Sequence, residues 1–277
     1  PMMAAPDALL ASPSVIMPKV SAIKYQTLDS KPTLNHMENL SGHGVYSINV
    51  LKNSTPTVLA YFENGSNNIK LFDLDSKSQV GEVTLSARPS HVEYSPIYDA
   101  LFYSMGGKLY QLSKNNEPDV FIENVNDFFF SAGGSRCIAR QGNSLKVVDM
   151  SNKDIIRDFT IDISGRTDKT TLGSSYNGEF VAVSSGYKNQ SVQVFNVKTG
   201  ESNIITIEGA SATYSPTPSE DGQEVYVGGG FSDGHVYVYD VSTAKLLRKY
   251  KPFSGYVYQV KPTADPRFVV MGGYNGV

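Results

Sequence analysis

The sequence predicts an all-β chain folded as a single β-propeller of four-stranded blades. Three observations lead there. Short runs of Val, Ile, Tyr and Phe alternate with clusters of Asn, Asp, Ser and Gly, in a chain with 24 Gly, 14 Pro, 17 Tyr and 13 Phe, which is strand-and-turn chemistry. Apolar residues seldom recur at i, i+3, i+4 and i+7; the best case, Ala8–Leu10, is too short for a helix. Finally, one type of strand repeats along the chain.

The repeating strand is read at Ile23–Leu28, Ile69–Leu74, Lys108–Leu112, Leu145–Met150, Val192–Val197 and Val236–Val241. Its equivalent polar positions are Thr27, Asp73, Gln111, Asp149, Asn196 and Asp240, spaced by 46, 38, 38, 47 and 44 residues. Four strands of about 5–6 residues with their turns need roughly that length.

Taken in order, residues 1–18 read as a loose arm, and residues 19–277 as the propeller. The stretch from Pro1 to Pro18 is apolar but has no charged start and is broken by Pro6, Pro13 and Pro18, unlike a signal peptide. Ile23–Leu28 is a third-type strand and Thr33–Leu40 a candidate fourth. Complete units occupy Gly44–Leu85, Ser90–Glu123, Asp127–Ile163, Thr170–Ile207 and Gly209–Pro252. In the last of these, strands run about Ser211–Ser215, Glu224–Gly228, His235–Val241 and Leu246–Tyr250, with a turn at Glu220-Asp221-Gly222. A sixth unit, Gly255–Val277, stops after two strands. Joined to the strands of residues 15–40, it gives one more blade and closes the ring without open edges. That makes six blades; a longer natural chain would allow seven.

The unit resembles the WD40 repeat. Ser41-Gly42-His43 is similar to that family's Gly-His opening, and Phe72-Asp73 and Tyr239-Asp240 stand where Trp-Asp stands. The resemblance covers roughly residues 20–277. The chain has no Trp and a single Gly-His, and Gln111 and Asn196 replace the Asp, so the family's full side-chain network is not expected in any blade. The resemblance implies a non-catalytic protein–protein interaction scaffold, a monomeric ring within a multi-protein assembly, cytoplasmic or nuclear. A second resemblance gives the alternative. Glu224–Gly230 followed by V-Y-V-Y-D is similar to the Y-V-T-N type of propeller, implying a ligand-binding or hydrolytic site at the central channel.

The residues themselves offer little chemistry. The charge sum, 24 Lys and Arg against 27 Asp and Glu, is −3, which disfavours nucleic acid and polybasic membrane anchoring. No run approaches the ~18 apolar residues of a membrane span. Cys137 is the single cysteine, so no intrachain disulfide forms, and a free thiol fits an intracellular setting. His36, His43, His91 and His235 show no metal-ligand spacing, and no phosphate loop or nucleophile motif is present. No catalytic residue, cofactor or metal is assigned. Gly228-Gly229-Gly230 and Glu220-Asp221 read as turns, and Phe128-Phe129-Phe130 mostly as core. Protein or peptide partners are expected on the face where first strands begin. The WD40 resemblance places that surface at His43, Tyr46, Arg88, His91, Phe128, Lys169 and Tyr256.

Overall fold

A computed structural model describes residues 45–51, 58–63, 65–73, 76–95, 97–112, 117–165, 171–187, 190–230, 234–252 and 254–273. They belong to a compact unit, Asn39–Val277. The strands expected at Ile23–Leu28 and Thr33–Leu40 lie outside the described residues, so the expected ring closure does too. Among the described residues there are strands and turns but no α-helix.

Twenty-two strands are described, and they pair in sequence order as antiparallel meanders. The first sheet comprises β1 (Val45–Leu51), β2 (Val58–Glu63), β3 (Asn68–Asp73) and β4 (Ser78–Thr84). The second holds β5 (His91–Ser95), β6 (Ala100–Met105), β7 (Lys108–Leu112) and β8 (Pro118–Glu123). The third holds β9 (Asp127–Phe130), β10 (Arg136–Gln141), β11 (Ser144–Asp149) and β12 (Ile155–Thr160). The fourth holds β13 (Leu172–Ser174), β14 (Phe180–Ser184), β15 (Ser191–Asn196) and β16 (Ser202–Thr206). The fifth holds β17 (Thr213–Pro218), β18 (Glu224–Gly229), β19 (Val236–Asp240) and β20 (Leu246–Tyr250). The sixth has two strands, β21 (Val257–Pro262) and β22 (Val269–Gly273). The five complete repeat units coincide with the five four-stranded sheets. One strand is displaced: the sequence places the first strand of the fifth unit at Ser211–Ser215. A bulge between Tyr214 and Thr217 carries it on to Pro218, with Ser215 at φ 44°.

Consecutive sheets pack face to face, with a hydrophobic cluster between each pair. The strand alternation makes this possible, because successive side chains point to opposite faces. In β9, Phe128 and Phe130 pack towards Phe102 and Leu109 of the second sheet. Phe129 packs the other way, with Leu172 and Val181 of the fourth. Likewise Ala182 of β14 joins the fifth sheet's Val225 and Val227, while its neighbours Val181 and Val183 face the third. Tyr237 and Tyr239 are buried. Each fully buried Phe or Val contributes about 1.5–3 kcal/mol.

Two recurring turns fix the spacing of the strands. The first lies between third and fourth strands. Asp149 Oδ1 accepts hydrogen bonds from Ser151 N at 2.8 Å and Ser151 Oγ at 2.6 Å. Asn196 Oδ1 accepts from Lys198 N at 2.9 Å and Thr199 N at 3.0 Å. Asp240 Oδ1 accepts from Thr243 N at 2.8 Å and Ser242 Oγ at 2.7 Å. Asp73 Oδ2 accepts from Ser76 Oγ at 2.7 Å. In each turn the fourth residue on has a positive φ: Lys77 at 55°, Lys153 at 67°, Gly200 at 84° and Ala244 at 53°. The repeating polar residue of the sequence is thus a turn cap, a job that needs only a side-chain oxygen.

The second turn joins first and second strands and begins at Ser131, Ser175 and Ser219, evenly spaced in the chain. In each, the serine carbonyl accepts from the amide of Gly134, Gly178 or Gly222 at 2.7, 3.1 and 3.0 Å. These turns interlock neighbouring sheets. Gly133 N donates to Tyr176 O at 2.7 Å, and Tyr176 N donates to Glu220 Oε1. Glu220, read from sequence as an ordinary turn residue, therefore clips the fifth sheet to the fourth. Gly222 lies on the Phe180 ring, and a Cβ added there would sit 2.1 Å from a ring carbon. The fifth and sixth sheets are joined by Ser215 and Thr217, which donate to Val260 O at 2.8 and 2.7 Å.

Gly222→Ala meets both a positive φ, 67°, and the Phe180 ring. It should cost about 3 kcal/mol or more in urea unfolding. Gly142→Ala, at φ 54° with nothing within 4 Å of its Cβ, should cost only about 1 kcal/mol. Equal costs would contradict the interlock. The Ser151 hydroxyl and amide, with the Arg136 guanidinium at 2.7 Å, hold Asp149 below its usual carboxylate range. Its contribution is present above that range and lost as pH falls through the depressed value. The stability gap between wild type and Asp149→Ala, about 1–2 kcal/mol at neutral pH, should therefore shrink in thermal melts taken from pH 5 towards pH 2.

Candidate functional site

The expected surface divides sharply. His43 and Lys169 lie outside the described residues, and Tyr46 is described only as backbone of β1. Arg88 is exposed, between β4 and β5. His91, expected to be accessible, is only 8% exposed. Its Nε2 lies 3.2 Å from Glu93 Oε2, and its ring centroid is 5.1 Å from that of Phe128. Phe128 is 0% exposed, because alternation turns it towards the second sheet. Both are therefore packing residues rather than accessible surface. Tyr256 is partly exposed, immediately before β21.

Around Tyr256 the structure assembles a group of four tyrosines from three sheets. Tyr256 stacks on Tyr258, with centroids 4.7 Å apart and an interplanar angle of 18°. Tyr214 of β17 lies beneath, with its ring 6.1 Å from Tyr256, 5.5 Å from Tyr258 and 5.8 Å from Tyr187. Tyr187, just beyond β14, donates from its hydroxyl to the Tyr256 hydroxyl at 3.4 Å. Tyr214 is 1% exposed and Tyr187 49%, so the group has a buried base and an open rim. The Tyr187 hydroxyl, with some burial, pushes the Tyr256 phenol up to about 12. That phenol is thus uncharged at neutral pH. Aromatic rings that bury area at little entropic cost are the commonest anchors of protein interfaces.

The fold brings Tyr187 to Tyr214 through a short bridge. Thr213 N donates to Gly186 O at 2.9 Å, and Ser184 Oγ donates to Thr213 O at 2.9 Å. The end of β14 is thereby fixed to the start of β17. On the same end of the third sheet Arg140 is buried, 2% exposed. Its Nε donates to Gly142 O at 3.0 Å and its guanidinium to Thr171 Oγ1 at 3.4 Å, tying the third sheet to the fourth. Arg140 stands opposite Asp127 in register.

No protein-family model and no curated protein matches this chain. Its geometry is therefore the ground for any functional reading. Among the described residues no group of three or more His, Cys, Asp or Glu side chains gathers as a metal site would require. Cys137 is buried, and burial pushes its thiol well up, which makes it a core residue without thiolate reactivity.

The sequence singles out Tyr256 but neither Tyr187 nor Tyr214. Tyr187 follows Ser184-Ser185-Gly186, just beyond a second strand, where no repeat position marks it. The rim-and-base arrangement predicts two different costs in denaturant unfolding. Tyr214→Ala should lose about 3–5 kcal/mol, as for other large core truncations. Tyr187→Ala should stay within about 1 kcal/mol. A Tyr187 cost equal to that of Tyr214 would make the whole group core.

Proposed function

We propose that this chain is a non-catalytic interaction scaffold: a six-bladed, WD40-like ring that presents loops to protein or peptide partners. The observation that carries the reading is the tyrosine patch. Tyr187 and Tyr256 are offered at the rim, over a rigid base made by Tyr214. This is the anatomy of a binding hot spot: an anchored aromatic cluster that loses little freedom on contact.

The stacked series of four-stranded meanders supports the ring. Among the described residues the sixth sheet has two strands, and Ile23–Leu28 and Thr33–Leu40 have the sequence pattern of a third and a fourth. Such closure would leave no sheet edge at the seam. Deleting residues 15–40 should then expose edges and cause aggregation; a soluble monomer with unchanged melting temperature would rule the shared blade out.

The function is tested by comparing wild type with a Tyr187→Ala/Tyr256→Ala double variant in affinity capture from the native cells. The expected outcome is a defined set of co-purifying proteins that the double variant loses by about tenfold, while its unfolding midpoint stays near wild type. Equal capture by the two proteins would remove the patch as the docking site.

A further inference from the structure

The four clustered tyrosines differ in how they touch. Tyr256 and Tyr258 stack face to face, 4.7 Å apart at 18°. Tyr214 meets Tyr187 edge-on, at 89°. Tyr187 and Tyr256 instead meet through their hydroxyls, at 3.4 Å, although 69 residues separate them in the chain. Backbone holds that meeting in place. Thr213 N donates to Gly186 O at 2.9 Å, which ties the residue before Tyr187 to the residue before Tyr214.

A phenol that loses one electron and one proton becomes a phenoxyl radical. Its unpaired electron is shared among the oxygen and the ring carbons ortho and para to it. In tyrosine the para carbon carries the side chain, so two radicals couple through ortho carbons, Cε1 or Cε2. Ortho-to-ortho coupling gives a biphenol whose two hydroxyls are neighbours. Tyr187 and Tyr256 already hold their hydroxyls as neighbours. The stacked pair does not suit this product, because a bond between ring edges cannot form while the rings lie face to face. Tyr187 is 49% exposed and lies just beyond β14, where rotation about its side-chain bonds brings its ring edge to that of Tyr256. Both rings of the pair are open to a small oxidant, whereas Tyr214, 1% exposed, is shielded beneath them.

We propose that Tyr187 and Tyr256 are a site of oxidative modification, coupling to a dityrosine that ties the end of the fourth sheet to the start of the sixth. The oxidant is hydrogen peroxide turned over by a haem peroxidase. Each phenol gives up one hydrogen atom, and the two together reduce one peroxide to two waters. The radicals join by a carbon–carbon bond between ortho carbons. The hydrogen on each of those carbons then moves to the phenolic oxygen, restoring both aromatic rings. The product has lost two hydrogen atoms overall and keeps both hydroxyls. Two radicals held in contact couple far faster than radicals that must meet in solution. The inference needs only the two phenols and does not rest on the docking of a partner.

The full chain is treated at low concentration with a haem peroxidase and hydrogen peroxide, and the monomer is isolated. Dityrosine is read by its blue fluorescence and located by mass spectrometry of the digested monomer. The expected result is an intrachain link between Tyr187 and Tyr256, two hydrogen atoms lighter than the separate peptides. The linked monomer should melt about 5–10 °C higher, because the tie restricts the unfolded chain as a disulfide over a long loop does. Tyr187→Phe and Tyr256→Phe keep the rings and remove one phenol, so each should lower the yield of intrachain dityrosine at least about tenfold. Tyr258→Phe should retain most of it. A wild-type monomer without the link, in a reaction that couples free N-acetyltyrosine, would overturn the proposal. So would a link at Tyr256–Tyr258, links confined to dimers, or an undiminished yield in either of the first two variants. A linked monomer that melts as the unlinked one does would overturn its role as a tie. No partner enters the measurement, so its outcome is separable from that of the capture experiment.

Discussion

Burial of each interior sheet on both faces is the constraint on which the rest of this structure depends. A sheet with one wet face alternates apolar and polar residues. Here both sides of the inner strands are dry, so alternation instead assigns each residue to one neighbour or the other. Phe128, Phe129 and Phe130 show this within three residues: the outer two belong with the second sheet and the middle one with the fourth. A register slip of one residue would exchange the two interfaces simultaneously. That makes the hairpin and turn geometry, which sets register, as important to the core as the apolar residues themselves. The fourth strand of each four-stranded sheet escapes the rule. β4, β8, β12, β16 and β20 are largely exposed.

The legible part of the fold is the part with a local cause. Lys108–Leu112 and Leu246–Tyr250 are read from sequence with their observed limits, because their place in the repeat and the flanking turn residues define both ends. The repeating polar residue is visible as a pattern, and its meaning becomes visible only with the hydrogen bonds of Asp149, Asn196 and Asp240. The bulge at Ser215 is not legible. Nothing in T-Y-S-P-T-P marks a residue held at φ 44°, and what stabilises it is Val260, in another sheet.

The candidate surface is less legible for a related reason. Where a first strand begins, the same residue type is exposed or buried according to the neighbouring sheet, which the strand's own sequence does not encode. Phe128 and Tyr256 occupy comparable strand beginnings. The second sheet covers Phe128 entirely, while Tyr256 stands partly open beside Tyr187. Arg140 is the extreme case. A guanidinium is rarely buried, yet this one is held by Gly142 and Thr171, acceptors from a turn and from the adjoining sheet.

The turns separate what the fold demands from what it tolerates. At the caps between third and fourth strands it demands an oxygen acceptor and, four residues on, a backbone with positive φ. It does not fix charge. Asp149 with its Arg136 partner, neutral Asn196, and Asp240 without an ion pair among the described residues all close the same turn. Charge at such positions can therefore change without a cost in architecture, since cap and core are satisfied either way. The tyrosine end obeys the opposite logic. Tyr214 belongs to the buried framework, and the rings of Tyr187 and Tyr256 rest against it. One end of the fifth sheet thus offers an aromatic surface on a buried base and the other a chemically adjustable one. A repeat architecture gives one chain both kinds of surface from the same few turns, because each sheet reuses the geometry while changing the side chain.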